Sequence, residues 1–535
     1  MYFEASRKLL IGLAVIALAG ILVTMPRWPT FWPDADLYAS IARSYEVLGD
    51  GVPSTMRHSP HATDHIVFYG PVFFGLGAEA FHAFGVSKAS FRLVSLGGAL
   101  LLIAGGALLG FALTGSSKRA WITAALLALT PELFVHARSG SMDLLAVGFE
   151  VLALAVFLRG LAGSHSWPHG AAAGGLLAAA MLTTPRTYPF IAAFFVSGLV
   201  LLWRATAWRN RVAPQLSGAA MVLAGAGAVW ASHIPGGAAT WARYMAFVAT
   251  HEWSDVAILP AAERAWSFAV SSIVTPAFAA TGALAAAWRL RKRTVCERPE
   301  MPVIAFAILA GWLTFVATIC VMNLTLTVGT YFALPLFAVV VSLPRWSFSM
   351  HASKSIRLAL AVGVLVACDV TIAAIRDTRI AAAWDARDSV PVVEFLKSHV
   401  PAGSDVIGPA GRYFFTVEEA GGVYYTARDT SWADWARWVP VFNPGAVGPL
   451  PRRRPAVDRF LIWDDADEPR PSTYVCAQAL AKYTPPDGNS LASLGWIADS
   501  TDRGYGPFTL YQLAPTCPSG YDPTGIHLPS GKALR

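Results

Sequence analysis

The sequence predicts an α-helical polytopic membrane protein with about eleven transmembrane helices and a C-terminal extracytoplasmic α/β domain. Three observations predict it. The 535 residues are 55% hydrophobic and only 14% charged, with a mean hydropathy of +0.48, so the chain cannot close as one water-soluble globule. Apolar runs approaching the ~20 residues that cross a bilayer recur along residues 1–375. Residues 376–535 lose that character and carry 16 Lys+Arg against 18 Asp+Glu, so the net charge of +7 belongs to the membrane part. A basic balance placed there anchors loops to anionic lipid and gives no reason to expect a nucleic-acid partner.

Arg7 and Lys8 precede the first apolar run, Leu9 to Thr24. Val23-Thr24-Met25-Pro26 offers no small-x-small cleavage site, so this span is expected to stay as an anchor. Further runs follow at roughly 93–114, 120–137, 141–158, 170–183, 189–203, 213–231, 266–288, 301–320, 331–346 and 357–375. With the N-terminus inside, Lys118/Arg119, Arg159, Arg204/Arg209/Arg211, Arg289/Arg291/Lys292/Arg293/Arg298 and Arg345/Lys354/Arg357 all fall in cytoplasmic loops of an inner or plasma membrane. That count forbids a span at Phe68 to Phe84, which reads as an interfacial helix. The loops 26–92 and 232–265 then lie on the outer face, and their length and aromatic content suggest folded, functional segments.

In the tail, helix-like Val390 to His399, Trp432 to Trp438 and Tyr474 to Tyr483 alternate with strand-like Asp405 to Ile407, Gly422 to Thr426, Phe460 to Trp463 and Phe508 to Gln512. A small α/β domain is the natural product of that alternation. Of the five cysteines, Cys476 and Cys517 fall in this outer domain, where oxidation is permitted and where they can pair or stay free.

The chemistry begins at Pro33-Asp34-Ala35-Asp36-Leu37-Tyr38-Ala39, where two carboxylates stand just past the first span. A carboxylate within hydrogen-bond reach of an acceptor hydroxyl can remove its proton as a new bond forms. Solvated loop charges and a helix cap at Asp34 before Leu37 to Leu48 are the plainer readings of the same residues. His58-x-x-His61-x-x-Asp64-His65 has the density of a metal site without a standard zinc spacing, and the Asp34/Asp36 pair offers oxygens to a hard cation, so a divalent metal is a possible cofactor. Glu150 lies near the middle of a span, where a carboxylate is costly. With Asp369 it would suit a proton-coupled transporter or a lipid flippase. A noncatalytic scaffold presenting the outer domain is a third reading.

Asp34-x-x-x-Tyr38-Ala39, a helix opening Tyr69-Gly70-Pro71, and Phe91-Arg92-Leu93 before the next span together resemble the protein O-mannosyltransferase and lipid A aminoarabinose transferase family of GT-C glycosyltransferases. The likeness covers roughly the first 160 residues in motif order and the rest in topology. Ala35 stands where the family commonly has glutamate, Gly70-Pro71 where a Pro-Pro pair is usual, and Thr330-Tyr331 where Arg-Tyr precedes a late span. The resemblance implies a polyprenyl-phosphate-linked sugar as donor and an envelope glycan, lipid or protein as acceptor, with membrane lipid around both.

On that reading Asp34, with Asp36 beside it, is the catalytic carboxylate of one inverting displacement. The leaving phosphate asks for cations rather than a second acid. Arg57, Arg92, Arg138, Arg186 and Arg243 are the candidates, because a guanidinium fork matches phosphate oxygens. Tyr38, His251 and Glu252 are expected at the acceptor or in a lid. For Arg138 an interfacial salt bridge with Asp143, across a short outer turn, is a plainer reading that stands level with phosphate binding.

Overall fold

The computed structural model describes residues 2–27, 35–51, 53–56, 69–163, 166–204, 208–234, 236–242, 310, 313–314, 384–409, 412–426, 458–464, 477–485 and 504–514. The runs 266–288, 331–346 and 357–375, most of 301–320, the segment Trp432 to Trp438 and all five cysteines lie outside them.

The described helices of the N-terminal part are α1 (Tyr2–Thr24), α2 (Ala35–Leu48), α3 (Pro71–Phe84), α4 (Lys88–Thr114), α5 (Ser117–Ala128), α6 (Pro131–His136), α7 (Asp143–Ala162), α8 (Ser166–Met181), α9 (Tyr188–Arg204) and α10 (Arg209–His233). Among the described residues, four helical segments are long and apolar enough to cross a membrane: Lys88–Thr114, Asp143–Ala162, Pro185–Trp203 and Arg209–His233. The protein is a polytopic membrane protein.

α4 lies against α7, α7 against α8, and α8 against α10. Small residues permit this approach, because a Cβ on Gly98 would meet the Leu145 nitrogen at 2.5 Å and one on Gly174 the Ala219 oxygen at 2.5 Å. The buried core between these helices is formed by Leu102, Leu109, Leu144, Val151, Leu154, Phe157, Leu177 and Phe194.

The run expected as one span over 120–137 is instead two helices, α5 and α6, with Leu129-Thr130 between them. Pro131 is the cause: it removes a backbone donor, clashes with the preceding turn, and suits the first position of a new helix. The segment expected as an interfacial helix forms α3, starting at Pro71 and ending at Gly85, whose φ of 79° suits a residue without a side chain. Its start is clamped, since the Val72 N–H donates to the Leu182 carbonyl at 3.2 Å and a Cβ on Gly70 would overlap that carbonyl.

The C-terminal part holds α11 (Val390–His399), β1 (Asp405–Gly408), α12 (Phe414–Glu419), β2 (Val423–Thr426), β3 (Arg459–Trp463), β4 (Ala477–Tyr483) and β5 (Phe508–Leu513). The five strands form one mixed sheet in the order β2-β1-β3-β5-β4. β1 is parallel to β2 and β3, and β5 is antiparallel to β3 and β4.

β4 corrects the helix expected over Tyr474 to Tyr483. Ala477-Gln478-Ala479-Leu480-Ala481-Lys482 has strong intrinsic helix propensity, yet Ala477 pairs with Leu513 and Tyr483 with Phe508 in an antiparallel ladder. A free edge on β5 satisfies these backbone groups, and tertiary pairing outweighs a local preference of a few tenths of a kcal/mol per residue.

Candidate active site

One end of the helical bundle collects the chemistry. α1 and α8 finish there, α4 and α7 begin there, and α2 and α3 cover it.

Local sequence sets each side chain. Ser87 and Ser90 form a reciprocal capping box that fixes the start of α4. Lys88 and Arg92 therefore stand one turn apart on the same face, with Phe91 beside them. Arg92 is 2% exposed, and its Nη1 donates to the Met25 carbonyl at 2.6 Å. Arg138, equally buried, donates from Nη1 to the Thr24 hydroxyl. Both guanidinium groups thus meet the C-terminal end of α1, where the helix dipole favours cations.

Asp143 pairs with Arg186 rather than with Arg138, so the plainer of the two readings of Arg138 does not hold. The Arg186 Nη1 lies 3.2 and 3.1 Å from the two Asp143 carboxylate oxygens. The Ser141 hydroxyl donates to Asp143 Oδ2 at 2.9 Å, and the carboxylate sits in the first turn of α7, where the dipole favours an anion. Thr184 and Pro185 open a 3-10 turn that delivers Arg186 across the helix ends. Chain neighbours suggested Arg138; only the fold brings residue 186 beside residue 143.

Arg186 is the most open of the described arginine candidates, with its side chain 28% exposed. Its neighbours Pro185 and Tyr188 line a cavity of about 250 Å³. Gly70, Met181, Trp230, Ala231 and Trp241 complete most of its wall, so the space is mainly apolar and lies between the start of α3 and the ends of α8 and α10. Tyr188 and Trp241 meet edge to face at 6.4 Å between ring centroids. No sequence signal pointed to Trp230 or Tyr188: both belong to spans, and membrane aromatics are common there.

Asp36 occupies a different setting. It is 7% exposed in α2, and its Oδ2 accepts the Phe414 backbone N–H at 3.0 Å. Burial pushes its carboxyl up to about 6, against the lowering pull of that N–H and of Lys88 and Arg92. Tyr38, expected at the acceptor or in a lid, has its ring in the packed core, 5.3 Å from Tyr69 and 6.0 Å from Phe74 between centroids. A ring enclosed in that way is framework rather than a moving cover. Glu150 is fully buried, and neither carboxylate oxygen has a hydrogen-bond partner among the described residues.

Asp34, Arg57, His58, His61, Asp64, His65, Arg243, His251 and Glu252 lie outside the described residues. Among the described residues no three His, Cys, Asp or Glu side chains gather as a metal site.

Membrane-crossing helices, shorter helices laid over their ends and a C-terminal sheet unit define the class, a polytopic membrane fold shared with solved membrane proteins. ArnT from Cupriavidus metallidurans in the apo state is similar at a TM-score of 0.58 and 14% identity, over 96% of this chain and 100% of that one. The same protein bound to undecaprenyl phosphate gives 0.56 at 13% identity, over 95% and 98%. The Archaeoglobus fulgidus oligosaccharyltransferase in complex with Zn and sulfate gives 0.50 at 16% identity, over 84% of this chain and 67% of that chain. No family model matches the sequence, and no curated protein matches it by sequence. At these identities the likeness is one of fold.

Proposed function

We propose that the protein is an inverting glycosyltransferase that moves a sugar from a polyprenyl-phosphate donor to an envelope glycan, lipid or protein on the extracytoplasmic side of the membrane. One observation carries this reading: an apolar cavity of about 250 Å³ is lined by Pro185 and Tyr188, which flank the partly exposed Arg186 in sequence at the helix ends. An isoprenoid chain needs the cavity and a phosphate needs the guanidinium. The fold adds weight, because a neighbour matched over 95% of this chain holds undecaprenyl phosphate.

On this reading Asp34 removes the acceptor proton while the acceptor oxygen attacks the anomeric carbon. The bond to the lipid phosphate breaks on the opposite face, and the configuration inverts. The phosphate leaves as an anion that Arg186 stabilises.

Glu150, buried without a hydrogen-bond partner among the described residues, supports the alternative, a proton-coupled carrier or flippase. One experiment separates the two: mass spectrometry of envelope glycans and glycolipids from a deletion strain carrying wild type, Asp34→Asn or Glu150→Gln. The transferase reading expects one sugar to disappear in the deletion strain. Wild type and Glu150→Gln restore it, and a well-expressed Asp34→Asn does not. Restoration by Asp34→Asn together with failure of Glu150→Gln would transfer the case to the carrier.

A further inference from the structure

The C-terminal sheet unit is bonded to the helices that carry the site. α2 begins at Ala35, directly after Asp34 in sequence. From the second residue of α2, Asp36 accepts the N–H of Phe414, the first residue of α12. Lys88 donates to the Tyr505 hydroxyl and lies 4.5 Å from the centre of that ring. Phe91 meets Phe415 at 6.1 Å between centroids, and the apolar cluster that includes Tyr38, Ile41 and Phe73 runs on without a break through Phe414, Val417 and Tyr424. At the rim, Arg27 holds Asp388 at 2.6 Å and Asp385 at 3.3 Å.

A carboxylate that exchanges protons with an acceptor must be reachable by it. Asp36 is enclosed on α2 and already bound to the backbone of another unit, which suits a fixed strut. Reacting groups have to be held within roughly 0.5 Å of their working positions, and a misplacement of about 1 Å costs on the order of a hundredfold in rate. The helix that continues from Asp34 is therefore a point where a bond from outside the membrane part can set the rate.

We propose that the C-terminal α/β unit fixes the position of α2 over the helix ends that carry the site, with Asp36 as the positioning residue that joins the two. This rests on the transferase reading above. It assigns Asp36 a role distinct from the catalytic one its place beside Asp34 suggests, and it gives the C-terminal unit a part in turnover.

The test compares Asp36→Leu, which removes the acceptor, with Asp36→Asn, whose amide oxygen can still accept the Phe414 N–H. Two readouts are taken on the full-length protein in lipid nanodiscs: transfer from a polyprenyl-phosphate sugar, resolved into kcat and KM, and hydrogen exchange of the peptide containing Phe414. Asp36→Leu is expected to speed exchange there and to lower kcat by about ten- to a hundredfold with the donor KM unchanged. Asp36→Asn is expected to restore both to near wild type.

Loss of kcat in Asp36→Asn with Phe414 still protected would make Asp36 a proton-transfer group and overturn the proposal. Faster exchange in Asp36→Leu with kcat intact would reduce the contact to a stability role and overturn it as well. If Asp36→Leu does not fold, Asp36→Asn still decides between a strut and a base. Wild-type protein without transfer activity would overturn the transferase reading and the positioning role with it, while exchange at Phe414 would still report the contact itself.

Discussion

Arg186 and Asp36 show how a charged residue takes its meaning from its surroundings. Arg186 is held by Asp143 while part of its side chain stays exposed, and its neighbours Pro185 and Tyr188 line the apolar cavity. A hydrogen bond to a charged group contributes about 1.5–3 kcal/mol. Arg186→Ala is therefore expected to raise the KM for a polyprenyl-phosphate sugar by about ten- to a hundredfold. Arg186→Lys should recover only part of it, because an ammonium keeps the charge but not the fork. Steady-state kinetics at constant salt checks this.

Asp36 answers to pH instead. Burial lifts its carboxyl from 3.8 to about 6, so the folded state holds the proton more tightly than the unfolded state does. Its contribution is most favourable below about pH 4 and declines as the pH rises through about 6, a total of roughly 3 kcal/mol. Thermal unfolding across that window should show the decline in wild type and lose it in Asp36→Asn.

Elements are positioned by small residues and by prolines more than by hydrophobicity alone. Gly98 and Gly97 are chain neighbours on α4, yet a Cβ on Gly98 would strike the backbone of α7, whereas one on Gly97 meets nothing within 4 Å. Gly98→Ala is expected to destabilise the protein by about 1–3 kcal/mol. Gly97→Ala should be neutral or slightly stabilising, since alanine favours a helix by roughly 1 kcal/mol over glycine. Thermal unfolding of the two variants in the same detergent compares them directly. The break at Pro131 was legible from the residue itself, although hydropathy summed over 120–137 concealed it. β4 was not legible, because Ala477 to Lys482 reads as a helix until β5 is beside it.

As a whole molecule, the protein couples a bundle of apolar helices to a sheet unit through the ends of α1, α2 and α4. The basic loops of the sequence lead us to expect that sheet unit outside the cytoplasm. A phosphatase reporter that folds only outside the cytoplasm, fused after Arg535, is expected to be active, and the same reporter fused after Arg119 inactive. The reverse pattern would invert the orientation and put the cavity on the wrong leaflet for a donor presented outside.

The sequence by itself determined the membrane class, the presence of a C-terminal sheet, α3 as a separate helix, and four of the five described strands. These follow from hydropathy over tens of residues and from local alternation, which act along the chain. Tertiary structure alone decided that Arg186 and not Arg138 holds Asp143, that Arg92 and Arg138 grip the end of α1, and that Asp36 bonds to a backbone 378 residues away. It also decided that Pro185, Tyr188, Trp230 and Trp241 line a cavity. Partner choice among buried polar groups and the shape of a cavity depend on which surfaces are pressed together, and no local pattern encodes that distance.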